Sequence, residues 1–264
     1  MLTAVKNQIK VMFLSIKYAL QREMLNKVTF ISNIFFMILN DASMIIQWII
    51  LYSLKDNVGG YSFNKVLLLW GLAASTYGFS RFFFKDAFNL TEIINSGKLD
   101  VYLIQPKNLL ISCITSSVEV SSIGDIIYGY IMLFFYGISI KNLVLFTFFS
   151  LTGALIITSV TIIFSSLTFW FGRVEIAATT INSLMLNFAT YPDGIFKGLV
   201  KILFYTFLPL AFSNYIPIQI IMDFNIYYFL VVILIASLFV AIAFTVFNEG
   251  LKKYSSSNLM NARV

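Results

Sequence analysis

Long apolar runs, separated by short polar segments, constrain this sequence more than any other feature. Six of them approach the roughly 20 residues that a helix needs to cross a lipid bilayer. Of all residues, 59% are hydrophobic and only 11% are charged, whereas soluble domains contain about 25% charged residues. A water-soluble fold of 264 residues could not bury so much apolar surface. The sequence therefore predicts an all-α integral membrane protein.

The predicted organisation is a single transmembrane domain over residues 1–264 with six spans. The spans are predicted at 28–53, 64–84, 107–137, 143–171, 173–191 and 225–248. The third follows Pro106, which suits the first turn of a helix. The fifth loses its pattern at Tyr191 and Pro192. Gly71, Ala74, Ser75 and Gly78 on the second span permit close helix approach, and we expect them to serve packing.

The segment 192–222 is apolar but does not resemble a further span. Lys197 and Lys201 interrupt it, and we expect Pro209 and Pro217 to mark turns. With six spans, 13 of the 18 basic residues lie inside, as the positive-inside rule requires. We therefore expect a re-entrant extracellular hairpin in the outer leaflet before the last helix, with both termini cytoplasmic.

The N-terminal segment 3–22 is predicted to be an amphipathic helix. Its apolar residues recur at spacings of three and four, and Lys6, Lys10 and Lys17 form a second stripe beside them. Such a helix lies in the headgroup plane, where lysines reach towards anionic lipid.

The inside loop 85–106 contains the pattern of a short helix, 89–97. Asn89 and Glu92 have the spacing of a capping box, and Gly97 favours a helix stop. Between them lies a two-turn apolar face. The residues of interest are Asn89, Leu90, Glu92, Ile93, Ile94 and Gly97. A helix this short needs a surface to pack on, either its own bundle or a cytoplasmic partner, and spacing alone leaves both open.

Polar residues inside the predicted spans are the second functional signal. A carboxylate at mid-membrane normally faces the bundle interior or a wet cavity, which favours a functional role for Asp41. The polar stripe on the fifth span is either a cavity wall or interhelical hydrogen bonding. Candidate residues of a translocation path are Asn40, Asp41, Thr179, Ser183, Asn187 and Thr190; Glu119 and Asp125 lie in the third span.

The sequence lacks the residues that several classes of function require. There is no G-x-x-x-x-G-K-[ST] phosphate loop, no histidine, and only one cysteine, Cys113. No catalytic triad, metal cluster or dinucleotide fingerprint is present, so we expect neither an enzyme nor a bound cofactor. The basic residues do not form a block, which disfavours nucleic-acid binding.

This layout resembles the permease (transmembrane) subunits of the type-2 export family of ABC transporters. The resemblance covers the whole chain and includes the pattern I-x-x-G-x-L-D-x-x-L-x-x-P, which matches Ile94–Pro106. Gln105 replaces the basic residue often seen before the proline. The break at Tyr191 and Pro192 is also similar.

The resemblance implies that 89–97 is the coupling helix, seated in a groove of an ABC ATPase subunit that binds ATP and Mg²⁺. We therefore expect Ile93 and Ile94 to be partly exposed in the isolated chain, and Ile94→Asp to abolish assembly while sparing the fold. The resemblance implies a second permease of the same or a different chain, with spans one, two and five lining the path. It also implies export of an amphipathic cargo (peptide, antibiotic or lipid-like) across the bacterial cytoplasmic membrane.

Two alternatives come from other classes. An ion-coupled secondary transporter would use Asp41, Glu119 and Asp125 as carboxylate relays. Such carriers often contain internal repeats, and 28–137 shows no similarity to 143–248. A non-transporting membrane scaffold would explain the polar stripe poorly.

Overall fold

The computed structural model describes residues 2–255, with side chains from residue 6 onward. Nearly all of these residues are helical, and none of them lies in a β-strand, which confirms the all-α prediction. The helices are α1 (Leu2–Glu23), α2 (Lys27–Leu54), α3 (Phe63–Phe88), α4 (Leu90–Asn95), α5 (Asp100–Leu103), α6 (Leu109–Ile114), α7 (Ser122–Tyr136), α8 (Ile140–Ser166), α9 (Thr168–Phe171), α10 (Glu175–Ala189), α11 (Leu199–Thr206), α12 (Ile216–Met222) and α13 (Ile226–Leu251). A 3₁₀ turn (Asp193–Ile195) and a π-helix (Ala211–Tyr215) complete them.

The membrane-crossing candidates within residues 2–255 are fewer than the six expected. Four segments are long and apolar enough, namely Lys27–Leu54, Phe63–Asn95, Ile140–Phe171 and Ile226–Leu251. A fifth arises if α11 and the run Ala211–Met222, which meet at 70°, form one broken span. α7 is apolar but has 15 residues, which gives about 22 Å against a hydrocarbon core of about 30 Å.

The core is organised around α3, which packs against α7 and α8. Small residues allow the close approach. A Cβ atom on Gly71 would lie 2.8 Å from the Gly129 carbonyl oxygen, and one on Gly78 would lie 2.7 Å from Ile126. Gly129 meets Ser75 in the same way. The packing role expected for this stripe is confirmed for these positions.

The predicted third span, 107–137, is not one helix. It consists of α6 and α7 separated by an irregular stretch, residues 115–121, and α6 begins at Leu109 after the Asn108 side chain caps its N-terminus. In this stretch, Ser116 and Ser117 donate hydrogen bonds of 2.6 and 2.7 Å to the Asp86 carboxylate. These bonds fasten the irregular stretch to α3.

The segment after Pro192 folds as three short helical pieces. The 70° bend falls at Pro209, between α11 and the π-helix. Pro217, in contrast, lies in the first turn of α12, which continues from the π-helix without a break, so its interpretation as a turn was wrong. Lys201 pairs with Asp193 at 3.8 Å. Whether the segment crosses the membrane stays a prediction.

The N-terminal helix α1 rests on the connection between α3 and α7. Gln8 accepts a hydrogen bond from the Asn108 amide at 3.0 Å, and donates one to Ser112 at 3.3 Å. Ile16 and Ala19 are buried against Val118. Large apolar residues elsewhere on α1 remain exposed, as a helix at a membrane surface requires.

Candidate functional site

A cavity of about 530 Å³ lies between α2, α3, α7 and α10. Its wall combines carboxyl, amide and aromatic side chains. The lining residues are Met37, Asn40, Asp41, Met44, Gln47, Trp48, Trp70, Ala74, Tyr77, Arg81, Glu119, Ser121, Asp125, Leu186, Asn187, Thr190 and Tyr191. Its volume is in the range of small-molecule sites.

The most unusual feature of the cavity is a pair of carboxyl groups from different helices. Asp41 lies near the middle of α2 and Asp125 in the first turn of α7. Both side chains line the cavity and interact electrostatically. Two adjacent carboxyl groups repel each other when both are ionised, which favours a proton on one of them.

A glycine brings these two helices together. A Cβ atom on Gly124 would lie 2.7 Å from the Ile34 carbonyl oxygen on α2, so a larger residue would push α7 away. The adjacent Asp125, only 5% exposed, is therefore held against α2. Its position in the first turn of α7 also places its carboxyl group near the positive end of the helix dipole.

We define residues 89–121 as the α3–α7 connection. A second charged pair lies at the end of the cavity nearest to it. Arg81 Nη1 on α3 donates to Glu119 Oε2 at 3.2 Å. Glu119 was expected inside a membrane span, but the structure places it in the irregular stretch before α7. Ser121 donates to its other oxygen at 3.3 Å. The pair is half-buried and neutralises its own charge.

Aromatic side chains form the opposite end and one wall. Trp48 and Tyr191 meet edge to face, with ring centroids 5.8 Å apart. Trp70 lines the cavity with only 9% of its surface exposed. Its indole N–H is buried, and no acceptor within the described residues bonds to it.

The structure brings together four of the six predicted path residues. Asn40, Asp41, Asn187 and Thr190 line the cavity. The remaining two, Thr179 and Ser183, are among neither its lining residues nor the buried ones, and their hydroxyl groups donate to backbone carbonyl oxygens of α10 itself. The reason is that only the last turns of α10 reach the cavity.

Sequence reasoning missed several residues of this wall. The positive-inside argument used Arg81 only as a basic residue at the inner end of a span. Trp48, Trp70 and Tyr77 were not predicted to line a site. A usable signal did exist, since an arginine within a helical run and a carboxylate in the next apolar segment often pair. The aromatic residues carried no such signal, because the sequence contains 28 Phe, 14 Tyr and 3 Trp.

The short helix predicted at 89–97 is present as α4, but its apolar face is covered. Leu90 and Ile94 are fully buried and Ile93 is 8% exposed, packed with residues of α6, α8 and α9. We expected Ile93 and Ile94 to be partly exposed, and this was wrong. Spacing describes an apolar face but not what covers it, and here the chain's own bundle does.

The ends of α4 also differ from the prediction in part. The Asn89 side chain donates to Asp86 and does not cap α4. Glu92 pairs with Lys98 at 2.8 Å instead of bonding back to Asn89, and this hydrogen bond raises the pKa of the Lys98 ammonium group. Gly97 adopts φ 74°, the left-handed conformation expected of a helix stop.

The C-terminal segment is attached to the same connection. The Tyr254 hydroxyl donates to Asp100 Oδ1 at 3.0 Å. Partial burial and the hydrogen bond to Asp100 raise the pKa of Tyr254 to about 12, so the phenol remains a donor at neutral pH.

Comparison with known proteins relates this chain to one family. A family model described as ABC-2 family transporter protein matches residues 37–258, which is most of the chain. No curated protein and no solved structure gives a significant match. The matched region contains the cavity, the α3–α7 connection and the long apolar helices, and identifies a multi-pass membrane protein. The chain therefore belongs to the ABC-2 family of transporter proteins.

Proposed function

We propose that the chain is the permease subunit of an ATP-driven exporter, with the cavity as part of its translocation path. The observation that carries this proposal is the polar cavity itself, enclosed among helices of a family member. ATP and Mg²⁺ would bind to a separate ABC ATPase subunit, because the chain has no phosphate loop.

The proposed topology has six crossings, formed by α2, α3, α6 with α7, α8, α10 and α13, with both termini on the cytoplasmic side of a bacterial cell membrane. α7 and α10 have 15 residues each, so we propose that the irregular segments beside them complete these two crossings. The distribution of basic residues supports this topology. The bend at Pro209 supports a re-entrant hairpin for 192–222, because a sharply bent pair of short helices suits a segment that enters and leaves one leaflet.

The ATPase contact that we propose is the exposed side of the α3–α7 connection. The buried face of α4 is not available, but Val101, Leu103 and Ile104 are 60%, 48% and 84% exposed. Glu92 and Lys98 border this apolar surface with opposite charges. Apolar side chains ringed by charges are typical of protein interfaces.

A second permease would cover the open side of the cavity. α2 buries few residues in this chain, and the polar positions Thr179 and Ser183 on α10 are exposed. Exposed hydroxyl groups on a membrane helix are more stable against another helix than against lipid. Lipid would cover the remaining apolar surface of α2 and α13.

One observation favours the second candidate, an ion-coupled secondary transporter. Asp41, Glu119 and Asp125, its three proposed carboxylate relays, do converge on one cavity. The two candidates differ in energy source: transport in vesicles would require ATP and an ATPase subunit in the first, and an ion gradient alone in the second.

Purification from native membrane tests the main proposal. We expect an ATP-binding subunit to co-purify with the chain in a defined ratio. ATP hydrolysis should disappear when that subunit is removed. Hydrolysis by a preparation free of other subunits would contradict the proposal, and so would transport that proceeds from an ion gradient without ATP.

A further inference from the structure

We propose that the cavity selects an amphipathic organic cation. Its charged group would lie at Asp41 and Asp125, and its apolar body against the aromatic wall. The proposal names the cargo class of the exporter and rests on that proposed function.

The charge balance of the cavity is the first argument. Three carboxyl groups line it, those of Asp41, Glu119 and Asp125, and of the described lining residues only Arg81 is basic. Arg81 is already paired with Glu119. Even if Asp41 and Asp125 share one proton, the cavity keeps a net negative charge in a setting of low dielectric constant, where an uncompensated charge is costly.

The second argument concerns bonds that the carboxyl pair lacks. The buried Oδ2 atom of Asp41 receives no hydrogen bond from any amide, hydroxyl or cationic group of the described residues. Two adjacent carboxyl groups also repel each other when both are ionised. A cationic group placed beside them would remove the repulsion, and an ammonium or guanidinium group would supply the missing donors as well.

The third argument is independent of the acidic residues. The indole N–H of Trp70, more than nine-tenths buried in the cavity wall, has no acceptor among the described residues, and a buried donor without a partner is destabilising. A cargo with a carbonyl, ether or hydroxyl oxygen would accept this bond once the ring turns towards it, whereas hydrocarbon cannot. The rings of Trp48, Tyr77 and Tyr191 offer apolar contact and cation–π attraction.

Two ions of similar size and opposite charge test the proposal. The full-length chain, purified from native membrane with its accompanying subunits and placed in lipid nanodiscs, is titrated with radiolabelled tetraphenylphosphonium and tetraphenylborate. Empty nanodiscs give the background. We expect saturable binding of tetraphenylphosphonium only.

Substitutions then locate the binding. Asp41→Asn and Asp125→Asn should each weaken tetraphenylphosphonium binding about tenfold or more, because each removes a buried carboxylate from the cation. Asp223→Asn, at an exposed carboxyl group after α12, is the matched control and should change nothing.

Equal saturable binding of both ions, no saturable binding of either, or unchanged affinity in both cavity variants would overturn the proposal. Even if a variant does not fold, the comparison of the two ions on the unmodified chain shows whether the cavity prefers a positive or a negative ion. Co-purification of the ATPase is scored separately in the same preparation, so failure of cation binding is distinguishable from failure of the exporter proposal.

Discussion

The α3–α7 connection and the cavity lie side by side, yet they differ in how they pair the carboxyl groups that face them. In the connection, Ser116 and Ser117 satisfy Asp86, and Tyr102 donates to Ser116 at 2.9 Å. In the cavity, Asp41 Oδ2 and the Trp70 N–H are buried without such partners. Each unpaired group costs about 1–3 kcal/mol. Thr91 in the connection also has a buried hydroxyl group without a partner among the described residues, so the contrast concerns the carboxyl groups: Asp86 supports the fold, whereas the proposed cargo would pair with Asp41.

The largest effect should come from a charge placed inside the connection. Ile94 is fully buried, so Ile94→Asp should lower the free energy of unfolding by about 3–5 kcal/mol. The expected readout is a large loss of monodisperse protein and a lower Tm in detergent. This differs from the sequence-based hypothesis, in which the substitution affects assembly and spares the fold. A normal Tm with failed ATPase assembly would restore that hypothesis.

The next largest effect concerns assembly. Ile104→Asp introduces the same charge at an 84% exposed position of the connection, so the Tm should stay unchanged while ATPase co-purification falls about tenfold or more. The matched control is Ile140→Asp, at an 85% exposed position at the start of α8. If Ile104→Asp assembles as well as Ile140→Asp, the proposed ATPase surface is wrong.

In the cavity we expect a smaller effect, which is a gain in stability. Asp125→Asn removes one of two adjacent carboxyl groups and supplies an amide donor to Asp41. Binding sites often carry such costs to stability, so the substitution should raise the free energy of unfolding by about 1 kcal/mol. Thermal unfolding without added ligand measures it. A loss of more than about 2 kcal/mol would show that the pair supports the fold, as a buried network does.

The smallest effect is expected at the C-terminal contact. Tyr254→Phe removes one partly exposed hydrogen bond to Asp100, which is worth about 1 kcal/mol or less. Because the folded pKa of Tyr254, about 12, lies above its unfolded value of about 10, this contribution is present below about pH 10 and is lost as the pH rises through 12. The difference in Tm between wild type and Tyr254→Phe should therefore narrow over that range. A difference in Tm that does not change with pH would show that the Tyr254 hydroxyl group contributes through packing.

Sequence reasoning predicted the helical class, the family and most long helices. It succeeded there because a helix surrounded by lipid needs an apolar run of about 20 residues, and such a run is visible in the sequence. α2 and α13 cover the predicted 28–53 and 225–248. It failed at 107–137, where an apolar composition predicted one span but Ser116 and Ser117, in an irregular stretch, bond Asp86 of α3. It also failed at α4, whose short apolar face was real but already covered.

The amino-acid sequence by itself determined that this chain needs lipid and that its polar side chains inside apolar helices are few, and it predicted a functional role for Asp41. Only the tertiary structure decided which of those side chains meet. The contact of Asp41 with Asp125 depends on Gly124 admitting α2 to α7, and the pairing of Arg81 with Glu119 depends on the break before α7. Periodicity places a residue on a face, but the partner of that face is set by long-range packing between helices.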